Sequence, residues 1–167
     1  MSVDERMVHD IVQKVMANMQ ISGSVSGMHG VFKDMNDAIN ASIEAQKKVC
    51  TMTLDQREQI ISLIRKKTHE NAEILANMGV NETGMGNVGD KILKHHLTAD
   101  KVPGTEDIST IAWSGDRGLT LVEMGPFGVI GAITPATNPS ETVICNCIGM
   151  LAGGNTVVFN PHPNAKK

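Results

Sequence analysis

Between residues 128 and 159 the chain spells out strand, turn, helix, turn and strand, and this order constrains the fold more than any other feature. Gly128-Val-Ile-Gly-Ala-Ile-Thr134 is a compact apolar run, as expected for a strand buried on both faces. Pro135-Ala-Thr-Asn138 is a turn. Pro139 then stands at the first helical position, where its missing N–H is no loss, with Asn138 as N-cap and Glu141 at the third helical position. Val143, Ile144, Cys147, Ile148 and Leu151 continue the helix, Gly153 and Gly154 end it, and Thr156-Val-Val-Phe159 reads as the next strand. Such a βαβ unit builds a parallel sheet with a right-handed crossover. One unit cannot cover its own sheet. With an end at Lys167, the strand at 156–159 is expected at an uncovered edge, and the chain reads as cut in mid-domain.

Upstream, apolar spacing predicts helices over residues 31–49, 54–78 (ending at Gly79) and about 90–97. Pro103 and Gly104 break the pattern. Runs at 111–114 and 119–124 flank Gly115-Asp-Arg-Gly118 and read as a hairpin. The fold class is therefore α/β, with helices and a hairpin (31–125) before the βαβ unit (126–167). Residues 1–20 are different. Val3, Met7, Val8, Ile11, Val12, Val15, Met16 and Met19 share one helical face, and Glu5, Arg6, Asp10, Gln13 and Lys14 share the other. Residues 21–30 are a Gly/Ser-rich linker. A helix so tethered either docks on its own parent fold or binds another protein through its apolar face.

Charge and composition exclude several functions. Aromatic residues make up 2% of the chain, too few for the stacking platform of a single-strand nucleic-acid binder. The net charge of −3 argues against a broad phosphate-binding face. No apolar run is long enough to cross a bilayer, and Asp4 and Glu5 stand where a secretory leader would be apolar. Cys50, Cys145 and Cys147 form neither a disulfide framework nor a metal pattern, and suit a reducing cytoplasm. Cys145 and Cys147, two apart on one helix, point to different sides.

Two segments carry candidate chemistry. The turn at 134–139 leaves the carboxyl end of a parallel strand, where open α/β sheets bind ligands. Thr137 and Asn138 are short polar groups beside a helix N-terminus; they either steady an oxyanion, or Asn138 merely caps the helix. Asn160-Pro-His-Pro163 follows the second strand, and His162 is either a ligand contact or an exposed loop residue. Gly84-Met-Gly86-Asn-Val-Gly89 matches a dinucleotide pattern but follows a helix, so it reads as an interhelical loop.

From about Val31 to the end, these motifs resemble the aldehyde dehydrogenase superfamily. Pro126-Phe-Gly-Val-Ile-Gly-Ala-Ile-Thr-Pro135 and Leu151-Ala-Gly-Gly-Asn-Thr-Val-Val-Phe159 look like its first strand and its Gly-Gly-Asn strand entry. Thr137-Asn-Pro-Ser-Glu-Thr142, Phe159-Asn-Pro-His-Pro163, Glu82-Thr-Gly-Met-Gly86 and Ser114-Gly-Asp-Arg-Gly-Leu119 are similar to the CoA-acylating branch of bacterial microcompartments, which serves ethanolamine and 1,2-propanediol breakdown. The resemblance implies N-terminal helices, an oligomerisation hairpin and the first βαβ unit of a Rossmann-like cofactor domain. It implies an oxidoreductase that converts acetaldehyde or propionaldehyde, with NAD and coenzyme A, to acyl-CoA through a cysteine thioester. The family nucleophile lies beyond the matched region, so this chain alone is expected to be inactive. Oxyanion support falls on Thr137 or Asn138, because the hydrolytic branch has Trp-Asn-Phe-Pro where Ala136-Thr-Asn-Pro139 stands here. Cofactor contact falls on Thr134, Pro135, Ala136, Asn160, Pro161 and His162. Asn160 replaces a ribose-holding Lys of the hydrolytic branch, so any contact there differs in kind. Residues 1–20 resemble an encapsulation helix, whose partner is a shell or cargo protein inside a cytoplasmic microcompartment. The rival reading is a non-catalytic binding piece carrying encapsulation and oligomerisation segments.

Overall fold

The computed structural model describes residues 30–167. The helix expected at 1–20 and the linker residues 21–29 lie outside the described residues. Helix α1 (Met35–Val49) starts at Asp34, whose carboxylate accepts the Asn36 N–H. Helix α2 (Leu54–Thr83) starts in a capping box. Thr53 Oγ1 accepts from Gln56 N, and Gln56 Oε1 accepts from Thr53 N. The helix runs past Gly79, expected above as its end, because one glycine costs only about 1 kcal/mol inside a long helix. It stops at Gly84, whose left-handed φ of 66° is open to glycine at little cost. Asn87 caps α3 (Val88–Lys101), which is longer at both ends than its apolar spacing suggested.

A short 3₁₀ turn (Thr105–Asp107) leads to the hairpin of β1 (Ile111–Gly115) and β2 (Gly118–Val122). Its register runs from Ile111 opposite Val122 to Gly115 opposite Gly118. Every hairpin residue is exposed, Trp113 at 58% and Leu119 at 64%. Then β3 (Val129–Thr134), α4 (Pro139–Ala152) and β4 (Thr156–Pro161) form the expected parallel βαβ unit.

Residues 34–167 form one compact unit. Its core is Ile61 of α2 against Ile148 and Ala152 of α4, with Ile64, Val102, Ile108, Ile144 and Leu151 packed around them. Helix α2 is the spine, and two of its arginines bind the carbonyl ends of neighbouring helices. Arg57 Nη1 donates to Ala152 O of α4 (2.6 Å). Arg65 donates to Ala99 O of α3 (2.5 Å) and to Val102 O (2.9 Å). A cation there satisfies orphan carbonyls and opposes the negative end of the helix dipole.

Helix α1 is clasped to the start of β4. Gln46 donates to Gly154 O (2.9 Å) and accepts from Thr156 N (2.7 Å), and Ser42 Oγ donates to Thr156 Oγ1 (2.9 Å). Strand β3 is not buried on both faces as its composition suggested. Ala132 and Thr134 are buried, while Gly131 and Ile133 on the opposite face are exposed, Ile133 at 84%. A doubly buried strand needs a layer on each side, and among the described residues only one side is covered.

Candidate active site

The parallel register sets the site. Ile133 lies opposite Asn160 and Thr134 opposite Pro161, so the chain leaves β3 and β4 at adjacent points. Thr134 thus lies beside Asn160 and Pro161 at the carboxyl end of the sheet, where Pro135 and Ala136 follow β3 and His162 follows β4. Thr134 and Ala136 are buried; Pro135, Thr137, Asn160, Pro161 and His162 are exposed. His162 closes a local turn. Its Nδ1 accepts from Asn164 N (3.1 Å), and its carbonyl accepts from Ala165 N (2.9 Å). Glu82, at the end of α2, accepts the backbone N–H groups of Lys166 (2.9 Å) and Lys167 (3.0 Å), pinning the segment that follows.

Asn138 stands at the N-cap position of α4, but its side chain makes no capping hydrogen bond. Its Oδ1 accepts instead from Lys91 Nζ (3.1 Å) and Lys94 Nζ (3.2 Å), both from α3. Lys91 also donates to Thr137 O (2.5 Å). Its ammonium lies 3.2 Å from Glu141 Oε1, with both side chains almost wholly buried. That pair is close enough to compensate charge but misaligned for a hydrogen bond, so Glu141 Oε1 is a buried oxygen without a hydrogen-bond donor. Beside it, His95 is fully buried. Its Nδ1 is 2.7 Å from Lys91 O, and since a carbonyl only accepts, Nδ1–H is the donor. The Ser140 hydroxyl is 2.8 Å from His95 Nε2 and 3.3 Å from Glu141 Oε2, within reach of both.

Helix α3 is turned inside out relative to its hydropathy. Lys91, His95 and Ala99, four apart, face inward, while Leu93 (67%) and Leu97 (59%) are exposed. The inward polar groups are tolerated because nearly all are paired. Apolar periodicity, which places leucines inside, could not reveal this network. The available signal was the spacing of Lys91, Lys94 and His95 on one helical face.

Asn155 is a second residue whose role sequence reasoning missed. Its Oδ1 accepts from Phe127 N (2.6 Å) and Gly128 N (2.9 Å), and its Nδ2 donates to Met150 O (3.3 Å). It ties the entry of β3 to the turn before β4. Gly154 beside it has φ 78°, and a Cβ there would stand 3.1 Å from Arg57 Nη1. None of the cysteines sits at the strand ends. Cys50 caps α1 and accepts from Gln46 Nε2 (3.2 Å), Cys145 is exposed on α4, and burial pushes the Cys147 thiol up to about 11. The loop at 84–89 joins two helices and follows no strand, as its sequence context implied. Among the described residues no group of three or more His, Cys, Asp or Glu side chains is arranged to hold a metal ion, and no helix is long and apolar enough to cross a membrane.

The arrangement offers polar groups and a helix N-terminus beside the ends of two parallel strands, a geometry suited to anions and to a developing oxyanion. Comparison with known proteins agrees with the fold. The model of the aldehyde dehydrogenase family matches residues 14–166. An acetylating acetaldehyde dehydrogenase of Bilophila wadsworthia is 47% identical over 98% of this chain and 35% of its own length. A propionaldehyde dehydrogenase from the Clostridium phytofermentans fucose utilisation bacterial microcompartment is 78% identical with a TM-score of 0.79, over 81% of this chain and 31% of that one. A Rhodopseudomonas palustris propionaldehyde dehydrogenase, solved with bound propionyl-CoA, is 48% identical with a TM-score of 0.79, over 86% of this chain and 33% of that one. The chain spans about a third of the length of the relatives it matches.

Proposed function

The chain belongs to the aldehyde dehydrogenase family, and on that premise we propose that the full-length protein oxidises acetaldehyde or propionaldehyde to the corresponding acyl-CoA. When bound, NAD would supply the hydride acceptor and coenzyme A the acceptor for the acyl group carried by a cysteine outside these residues. What this chain supplies is the floor of the site. The observation that carries the proposal is the parallel register of β3 and β4, which sets Ile133 opposite Asn160 and Thr134 opposite Pro161, so that the turn at 135–138 and the segment from His162 leave the carboxyl end of the sheet side by side. This fits a dinucleotide, since the loops open onto the N-terminus of α4 and two lysines stand close by.

Asn138 and Thr137 support the oxyanion that forms as the thiolate adds to the aldehyde. In the full-length protein, assayed for acyl-CoA formation with both aldehydes, Asn138→Ala or Thr137→Ala should lower kcat by roughly 10²-fold. If Asn138 serves only to tie this turn to α3 through Lys91 and Lys94, the cost is instead about 1 kcal/mol of stability with kcat kept. That result refutes the assignment.

The exposed apolar hairpin favours assembly into a homo-oligomer through β1 and β2. The similarity to an enzyme from a fucose utilisation microcompartment supports placement inside such a compartment, with residues 1–20 as the encapsulation helix that meets a shell or cargo protein.

A further inference from the structure

The Asn138 carboxamide can face its neighbours in two ways, and the structure leaves only one of them chemically sensible. A lysine ammonium has three donors and no acceptor. Two ammonium groups, Lys91 and Lys94, converge on the same end of the amide at 3.1 and 3.2 Å. That end must be the oxygen. The Nδ2 group is then left as a pair of hydrogen-bond donors, and it donates to no described residue. Lys91 is suited to enforce this. It is buried, and its stem is held by helix α3. Besides Asn138 it grips the preceding carbonyl, Thr137 O, and Glu141 balances its charge. One ammonium thus fixes the main chain and the side chain of the same turn. Lys94, exposed, repeats the contact from one helical turn further on.

We propose that Lys91, seconded by Lys94, is a positioning residue for the reaction: it locks the Asn138 carboxamide with its oxygen inward and its Nδ2 donors toward the reacting carbonyl. The proposal rests on Asn138 acting as the oxyanion donor. A preorganised donor is effective because it does not reorganise as charge develops. An amide free to flip presents its oxygen part of the time, and an oxygen repels an oxyanion.

The test is a double-mutant cycle in the full-length protein, read as kcat and KM for acyl-CoA formation. Lys91→Met alone strands the Glu141 charge, so the charge-balanced pair K91M/E141Q is measured with it. In the parent, each should lower kcat about tenfold, a fraction of the loss on removing the donor itself. KM for aldehyde, NAD and coenzyme A should stay within about twofold, because alignment of the donor matters in the transition state. Lys91→Arg should restore part of kcat. In an Asn138→Ala background the same changes should have no further effect, since there is no amide left to orient. An equal loss in both backgrounds means that Lys91 acts on the fold, and the proposal falls. If Asn138→Ala cripples kcat while K91M and K91M/E141Q leave it intact, this inference alone is overturned. If Asn138→Ala leaves kcat unchanged, the oxyanion reading falls and takes the inference with it. Should both Lys91 variants fail to fold, Lys94→Met decides. A loss of about threefold in the parent and none in the Asn138→Ala background supports the proposal, and an unchanged kcat in the parent overturns it.

Discussion

Asn155→Ala gives the most direct physical test of how the βαβ unit is held. The side chain makes three hydrogen bonds. Two short ones receive the N–H groups of Phe127 and Gly128, and a longer one reaches Met150 O. A net value of about 1 kcal/mol each, with the 3.3 Å bond the weakest, gives a loss of about 2–3 kcal/mol. The effect is local, because the bonds join the entry of β3 to the turn before β4. Hydrogen–deuterium exchange of peptides covering 127–134 in the full-length protein reads it. Local opening easier by about 2–3 kcal/mol corresponds to exchange roughly 30- to 150-fold faster in that segment, with helix α2 unchanged. Asn155→Asp keeps both acceptor contacts but turns a carboxylate oxygen toward Met150 O at a buried position, so it too should open this segment. The reasoning is refuted if Asn155→Ala changes exchange less than about fivefold.

Four further outcomes are expected. Cys50→Ser, Cys145→Ser and Cys147→Ser should each keep acyl-CoA formation near the parent level. Because burial raises the Cys147 thiol to about 11, that thiol stays protonated at neutral pH and gains reactivity only as pH climbs toward that value. Iodoacetamide should therefore label exposed Cys145 well before Cys147, and equal rates at pH 7 would contradict the buried setting. Gly84→Ala forces a side chain into φ 66° at the end of α2 and should lower stability by about 1 kcal/mol in urea unfolding, with no effect on kcat. Fusing residues 1–20 to a fluorescent protein should carry it into assembled microcompartments, and Ile11→Glu with Val15→Glu should abolish this; a fusion that stays diffuse would sink the encapsulation reading.

The parts of the fold legible in sequence were those punctuated by backbone chemistry. Pro139 and the Gly153–Gly154 pair bracket α4 in the structure as their conformational limits require, and Gly115 and Gly118 flank the hairpin turn. Helix ends were less legible, since Gly79 and Gly84 look alike in sequence and only the second adopts a left-handed φ. The candidate site was legible as a place, at the ends of β3 and β4, but not as a network. Lys91 and Glu141 are fifty residues apart and charged, and each alone reads as a solvated surface group. Their burial follows from α3 presenting its polar face inward, against its own hydropathy. The double burial expected of β3 failed for a related reason. Composition reports that a strand suits an apolar setting, whereas the covering layer belongs to other segments.

The clasp between Gln46 and the start of β4 also sets a clock. Its partners are 108 and 110 residues apart in the chain. At a synthesis rate of about 5–20 residues per second, α1 emerges roughly 5–20 s before the strand that receives it. During that interval Ser42 and Gln46 have no strand to bind, and the ordering entropy of closing so long a loop is still to be met. Docking of α1 is thus a late event in biogenesis, and ribosome-bound chains arrested before residue 154 should carry α1 open to protease.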